Sequence, residues 1–490
     1  QRRSGCARTR IVHLPEDAMT ESVHIGESIE MFTLAQQFIV SDTPDLLPPD
    51  WEAFHQDGWW IGTLGDQGLP IVPLYTADAV QIGWLVGHGI DGNGEVISQK
   101  CIVPVRATAA SLMEDLEQYL YTLAGRWAAV ALTARGSRFY VDPGASLSAV
   151  YCPEQRVVCS SISLVPRRES TRDREELVRL LDIPAQDRWF PFALTPRVDV
   201  HRLLPNHYLD LATWTTIRHW PAGQPALVSL DQVGAQVERI ASRIESTISA
   251  VVRHGPTTMG LTAGCDTRVL LACARDVCHD IEYSTLRIPD PKGKLDCDVA
   301  GMIARKHGLK HECLEWVEAG EEDIREWLYR TGSCVAGRTM RGVRTFKERS
   351  SPAININGGM GEIGRAFFWR SGDDEAPRFS AAEVVERLDL PPADLIFREC
   401  DQWLASLPCD RASTVLDLLY LKQVLGCWGG PQVYGYVRDL FIVWPFNHRD
   451  IVDAMMRLPV EYRIRQRLAS DLVRSRWPEL AKYPFNWYPG

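Results

Sequence analysis

No stretch of the 490 residues is apolar and uninterrupted for long enough to span a bilayer, which excludes a membrane-spanning helix. A positive charge excess is also missing. The chain carries 63 acidic against 53 basic side chains, a net charge of −10, and this argues against a nucleic-acid surface. The thirteen cysteines include no CxxC pair; odd in number and scattered, they read as reduced thiols and core fillers, not as disulfides or zinc ligands. There is no long low-complexity linker and no internal repeat. The basic residues from Gln1 to Arg10 precede no long apolar core, so a secretory signal is not expected. Residues 1–19 read as a tail or non-native leader, with Met19 a candidate start. These absences predict a cytoplasmic chain with neither membrane nor nucleic-acid partners, long enough for two or three domains with substantial cores.

Against that background the most informative segment is Met259-Gly-Leu-Thr-Ala-Gly-Cys-Asp-Thr-Arg268, followed by the apolar run Val269 to Ala274. The pattern predicts a strand, a tight turn and a helix N-terminus, where backbone N–H groups and the helix dipole favour a phosphate. Gly264 permits the tight backbone, Thr262 and Thr267 offer hydroxyls, and Asp266 is a candidate Mg²⁺ ligand. The segment is not a Walker loop, because the GxxxxGK(S/T) spacing and its lysine are missing.

The flanks continue the alternation. Asp280 to Leu286 reads as a strand, then a polar Pro/Gly-containing loop runs through Lys294, a helix covers Asp298 to Gly308, and a short strand covers His311 to Trp316. Strand alternating with helix predicts a doubly wound parallel sheet with the Asp266 loop at a strand's C-terminal end, where such sheets bind ligands. The character changes near residue 225. Before it lie the β-like runs Gly58–Gly62, Leu69–Leu74, Gln81–Val86, Trp127–Leu132 and Arg138–Val141, with one helix candidate over Ala110–Ala124. After it a long amphipathic helix is expected over Leu230–His254, and helical patterns dominate.

The loop Thr262-Ala-Gly-Cys-Asp-Thr267 resembles the SGGxDS pyrophosphate loop of the ATP pyrophosphatases, which split ATP between the α and β phosphates. Further segments resemble, in the same order, those of asparagine synthetases. Gly125-Arg-Trp-Ala-Ala-Val-Ala-Leu132, Arg138-Phe-Tyr-Val-Asp-Pro-Gly144, Val150-Tyr-Cys152 and Ser160 to Leu164 look like the glutaminase-type domain. Ile354-Asn-Ile-Asn-Gly-Gly-Met-Gly-Glu362 lies where that family places a second glycine-rich loop. Trp444-Pro-Phe-Asn-His-Arg-Asp450 and Met456 to Arg463 resemble its R-x-P-F-L-D-h-r and L-P-x-x-x-K segments. The resemblance implies a degenerate glutaminase-like domain over residues 20–222, an α+β fold of N-terminal-nucleophile (Ntn) hydrolase type with antiparallel sheet layers. It implies an α/β doubly wound PP-loop synthetase domain (adenine nucleotide alpha hydrolase-like) over residues 223–490, ending in a helical part.

It further implies ATP and Mg²⁺ as cofactors. ATP would rest on Leu261, Thr262, Ala263, Gly264, Asp266, Thr267, Arg268, Leu286, Gly358 and Gly359, with the metal on Asp266 and Glu362. Several departures shape the expected function. A working glutaminase of this family needs a cysteine after the initiator methionine; Gln1 is followed by Arg2 and Met19 by Thr20, while Cys6 lies deep. Gly361 stands where the second loop's acid is expected, leaving Glu362 as carboxylate or base. The family lysine has no clear equivalent; Arg463, Arg465 and Arg467 occupy its region, with Glu362, Arg465 and Arg463 the catalytic candidates and a solvated helix face the expectation for any single arginine. Lys292 and Lys294 are placed in a loop that either closes over phosphates or is simply solvated. Asp296 and Asp298 are placed as metal candidates, Asp298 alternatively as an N-cap, and Lys422 as a helix-surface charge. Trp428, Tyr434 and Tyr436 line either a pocket or the core.

The profile is similar to lasso-peptide cyclases and β-lactam synthetases, although Gly358 replaces the tyrosine of the β-lactam pattern. The expected activity is an AMP- and pyrophosphate-forming amide ligation, closing a macrolactam in a ribosomal peptide. The substrate would be a small molecule or precursor peptide, with a leader-peptide-binding or protease partner. Alternatives are asparagine-synthetase-type amidation of a small molecule or surface glycan with ammonia or glutamine, and a non-catalytic scaffold with a vestigial nucleotide site.

Overall fold

A computed structural model describes residues 32–347, 353–375, 379–436 and 440–486. The expected leader over residues 1–19, and Cys6, lie outside the described residues. Residues from Leu34 onward form one compact unit. Its first half holds two largely antiparallel sheets, its second half a parallel sheet with helices.

Period-two alternation builds the first half. In the strand Ala124–Thr133, Ala128, Val130 and Leu132 point into the core between the two sheets. Trp127, Ala129 and Ala131 point the other way, onto Leu112, Met113, Leu116 and Leu120 of the helix Leu112–Tyr121. In Phe38–Ser41 of the opposite sheet, Phe38 and Val40 face the same inter-sheet core, with Phe38 stacked 5.7 Å from Phe139, and Ile39 faces outward onto a third cluster. All five β-like runs read from the sequence become strands. The predicted helix ends at Tyr121, three residues early, because Ala124 is already hydrogen-bonded into the sheet.

In the second half, the helix Val233–His254 buries Val233, Val237, Ile240, Ile244, Ile248 and Val251 along one face, the stripe expected of an amphipathic helix. The parallel sheet is ordered Lys310–Glu315, Ile281–Arg287, Thr257–Gly260, Ala353–Ile356, Leu440–Val443. In chain order this is 3-2-1-4-5. The sheet's connections therefore reverse direction between Thr257–Gly260 and Ala353–Ile356, and the crevice at the C-terminal ends of those two strands is where open α/β sheets bind ligands.

Four expectations are corrected. Lys292 and Lys294 lie not in a loop but in the first turn of the helix Pro291–His307. Asp290 caps that helix by accepting from the Gly293 N–H, and Pro291 supplies a preset φ at the first helical position. Asp298 is consequently mid-helix and exposed, no cap. Cys297 and Cys313 form a disulfide, because that helix folds back over the strand Lys310–Glu315 and brings Cα atoms sixteen residues apart to 6.0 Å. Lys422 is fully buried in a π-helical segment, Tyr420–Gly429, and its Nζ has no hydrogen-bond partner. Trp428 is half-buried; Tyr434 is core, its hydroxyl donating to the Ser148 carbonyl, and Tyr436 packs at a tilt against Phe346. Among the described residues no helix is long and apolar enough to cross a membrane.

The two halves are joined by buried polar groups. Asp142, fully buried, accepts N–H bonds from Trp127, Gly144, Ser146 and Leu147, and a hydroxyl bond from Ser146. From the second half, Asn447 Nδ2 donates to Asp142 Oδ1 at 2.7 Å and to the Gly125 carbonyl at 2.7 Å, while its Oδ1 accepts from the Gly144 N–H at 2.9 Å. Ala124 and His448 add a backbone bridge beside it.

Asn447→Ala removes the side-chain donor to the Asp142 carboxylate and the Gly125 carbonyl and one of the two acceptors of the Gly144 N–H, and is expected to cost about 2–4 kcal/mol, read as a lowered urea midpoint. Burial first, then the charge of Arg218, pushes the Lys422 pKa down to about 7 from an ordinary value near 10.5. Between those values the unfolded chain binds the extra proton, so stability rises with pH across that window. Lys422→Met is therefore expected to stabilise the protein by about 2–4 kcal/mol at pH 6, with the gain shrinking towards pH 10. A pH-independent difference between variant and wild type would contradict this.

Candidate active site

Two loops meet at the crevice. The first leaves Thr257–Gly260 and turns into the helix Cys265–Cys273, with Gly264 at the N-cap in extended conformation. The second leaves Ala353–Ile356 and enters the short 3-10 helix Gly361–Arg365. They approach so closely that a Cβ on Gly358 would lie 2.8 Å from the Asp266 Cβ, and one on Gly361 would lie 2.4 Å from Asp266 Oδ1. A side chain at position 361 would have to displace the Asp266 carboxylate, which takes up the space beside it. Between the two glycines, Met360 holds φ +79°, a left-handed conformation sustained by its complete burial.

The first loop is braced from three sides. Thr267 Oγ1 accepts the Thr262 N–H at 3.2 Å and lies 2.9 Å from Thr262 Oγ1, which in turn accepts the Gly264 N–H at 2.9 Å. Asp296 Oδ1 accepts the Ala263 N–H at 3.0 Å and an N–H of the Asn486 side chain at 2.9 Å. Burial pushes the Asp296 pKa up, and those two donors oppose the shift. Thr285 donates to the Leu261 carbonyl, fastening the loop to the neighbouring strand that also carries Leu286. Arg268 is fully buried and points away from the crevice, donating to the carbonyls of Leu480, Tyr483 and Pro484, with Phe485 4.3 Å below its guanidinium. Its role in the structure is to hold the C-terminal segment against the loop.

Three charged groups face one another where the loops meet. Arg365 donates to Asp266 Oδ2 at 2.8 Å and lies 3.1 Å from Glu362 Oε1. All three side chains are one-fifth to one-quarter exposed. Burial, then the Glu362 charge, raises the Asp266 pKa, opposed by Arg365. Burial works against the Arg365 charge, yet Asp266 and Glu362 together hold its pKa above the ordinary value. Tyr420 is beside them, its hydroxyl pushed well above the usual range by burial and by Glu362. Two polar atoms of the cluster, Glu362 Oε2 and Arg365 Nε, are buried without a hydrogen-bond partner.

Among the described residues no group of three or more His, Cys, Asp or Glu side chains is placed to hold a metal. Mg²⁺, however, is commonly held by one or two carboxylates with substrate phosphates completing its shell. Asp266, Glu362 and the unpartnered Oε2 suit a cation that arrives with phosphates, not a closed protein cage. A hollow of about 760 Å³ lies elsewhere, between the helix Glu175–Leu181 and the start of the helix Asp394–Ala405, and none of the loop residues line it.

Of the residues picked from sequence, Asp266, Glu362, Gly358 and the Thr262–Thr267 loop come together, with Gly359 packed on the Trp444 indole. Arg463 and Arg465 part company. Arg465 is exposed, whereas Arg463 is completely buried, contrary to a solvated helix face, and bonds both oxygens of Asp417 at 2.8 and 2.7 Å and the Ile363 carbonyl at 3.1 Å. Arg463 therefore reaches the site only by anchoring the 3-10 helix that carries Glu362 and Arg365. Sequence reasoning missed Arg365, Tyr420 and Asn486; only the spacing of Arg365, three residues after Glu362, hinted at the pairing.

Arg463→Met leaves Asp417 buried and uncompensated. The expected loss is about 3–5 kcal/mol of stability, measured by urea unfolding, with Arg465→Met within about 0.5 kcal/mol of wild type. No protein-family model matches the chain, and no curated protein matches it.

Proposed function

We propose that this chain is an ATP-dependent, AMP- and pyrophosphate-forming amide ligase of asparagine-synthetase-like type, with a PP-loop domain following an Ntn-hydrolase-like one. The observation that carries this reading is the convergence of both glycine-rich loops, with Asp266 and Glu362, at the reversal point of a 3-2-1-4-5 parallel sheet. The chain's resemblance to those synthetases in the order of its motifs supports it as well. Under this reading the ATP phosphates lie against the Thr262–Thr267 loop, with the helix Cys265–Cys273 presenting its positive end. Leu261, Leu286, Gly358 and Gly359 border the nucleotide.

Asp266 and Glu362 would hold Mg²⁺, which when bound neutralises charge on the phosphates. The substrate carboxylate attacks the α-phosphorus and pyrophosphate departs, with Arg365 the cation positioned to stabilise the charge that develops. An amine then attacks the acyl adenylate, forming the amide and releasing AMP. The substrate favoured here is a precursor peptide closed to a macrolactam, in keeping with the resemblance to lasso-peptide cyclases. Burial pushes the thiols of Cys101, Cys152 and Cys159 above the ordinary range, so none of these first-half cysteines is an activated nucleophile for releasing ammonia.

One observation favours a second reading, a non-catalytic scaffold. The N–H groups of Thr262, Ala263 and Gly264 are already bonded within the protein, leaving fewer donors for a phosphate. Exchange of labelled pyrophosphate into ATP separates the two readings, assayed with aspartate and with candidate precursor peptides. Carboxylate-dependent exchange that falls by at least about 100-fold in Asp266→Ala is the expected result. Absence of both exchange and ATP binding would favour the scaffold.

A further inference from the structure

Arg365 occupies the place between Asp266 and Glu362 where two carboxylates would otherwise face each other. One guanidinium nitrogen is within 2.8 Å of the first and 3.1 Å of the second. The pairing leaves a residue of −1 on the cluster and two buried orphans, a donor at Arg365 Nε and an acceptor at Glu362 Oε2. A donor and an acceptor left open side by side can be met together by a ligand that brings both an anion and a cation. A phosphate carrying its divalent ion is such a ligand. The residue itself is equipped for two states. It sits at the end of a five-residue 3-10 helix closed by Ala366 at φ +49°, and its side chain, 21 % exposed, reaches solvent as well as the carboxylates.

We propose that Arg365 is an internal surrogate for the divalent cation, bridging Asp266 and Glu362 until a metal–phosphate complex displaces it and accepts its guanidinium on the phosphate oxygens. This rests on the nucleotide reading of the site and adds an order of binding to it. The cation alone must compete with a fixed positive charge for the same oxygens, and phosphate alone meets a cluster of net negative charge. Only the two together satisfy both orphans and release the guanidinium to a new anionic partner. Arg365 suits this exchange better than lysine, because one of its nitrogens meets both carboxylates and its planar fork can afterwards grip phosphate bidentately.

The test is titration of Mn²⁺ alone, without nucleotide, followed by electron paramagnetic resonance. It compares wild type, Arg365→Met, Arg365→Lys and the double variant Arg365→Met with Asp266→Asn, each with an unchanged circular-dichroism spectrum. Arg365→Met is expected to bind one Mn²⁺ at least about tenfold more tightly than wild type, and the double variant to lose that gain. Arg365→Lys, with a single point charge, is expected to gain about threefold, and it carries the test if Arg365→Met fails to fold. Affinity unchanged from wild type in the folded variant, or a gain that survives Asp266→Asn, would overturn the proposal. Pyrophosphate exchange is scored separately. A tenfold Mn²⁺ gain without exchange or ATP binding supports the surrogate and refutes only the ligase reading, and exchange without the gain refutes only the surrogate.

Discussion

The structure depends on the burial of one carboxylate. Asp142 is completely removed from water, and burial raises its pKa against the pull of the N–H groups that surround it. A charge in that position is tolerable only if its oxygens are fully bonded. Four backbone N–H groups and a serine hydroxyl from the first half, and the Asn447 amide from the second, meet that condition. Neither half can draw away without leaving the carboxylate short. Arg126 runs alongside, bonding the Ser146 carbonyl and lying over Tyr434 and Phe441, so one cation over two rings adds to the junction. The strand Leu440–Val443, which ends just before Asn447, is also the edge strand of the parallel sheet. The polar junction therefore sets the position of the sheet whose crevice forms the site.

The site is built on the same economy of charge. Two carboxylates are brought together by two strands that are adjacent in space but about ninety residues apart in sequence. Their repulsion is offset locally by Arg365, while Arg463 and Asp417 form a separate, fully buried pair that anchors the short helix beneath. Both pairs keep unbonded nitrogens, but only the first is accessible; the other is sealed. The division places the exchangeable charge at the crevice and the permanent one behind it.

Much of this was legible in the chain because periodicity survives without tertiary context. The alternation around Trp127 to Leu132, the stripe from Val233 to Val251 and the strand-turn-helix at Met259 to Ala274 each stand in the structure near their expected bounds. Local chemistry was also readable where it was missed. Asp290-Pro291 is an N-cap followed by proline, yet the lysines and glycine after it read as a loop. The charge of Lys422 suggested a surface position within the helical run Leu418 to Leu425. A side chain's burial is set by what packs on its element, and here the first half covers it.

The sequence by itself determined five strands of the first half, three strands of the parallel sheet, four helices and the two glycine-rich loops, because each follows from residue spacing and backbone preference within a few residues. Tertiary structure decided which loops meet, which arginine enters the site and which is buried, that the Asp266 carboxylate crowds Gly361, and that Cys297 pairs with Cys313. These depend on approaches of a few ångströms between distant segments. Distances of that kind are fixed by the sheet order and the buried junction at Asp142, and no local pattern encodes them.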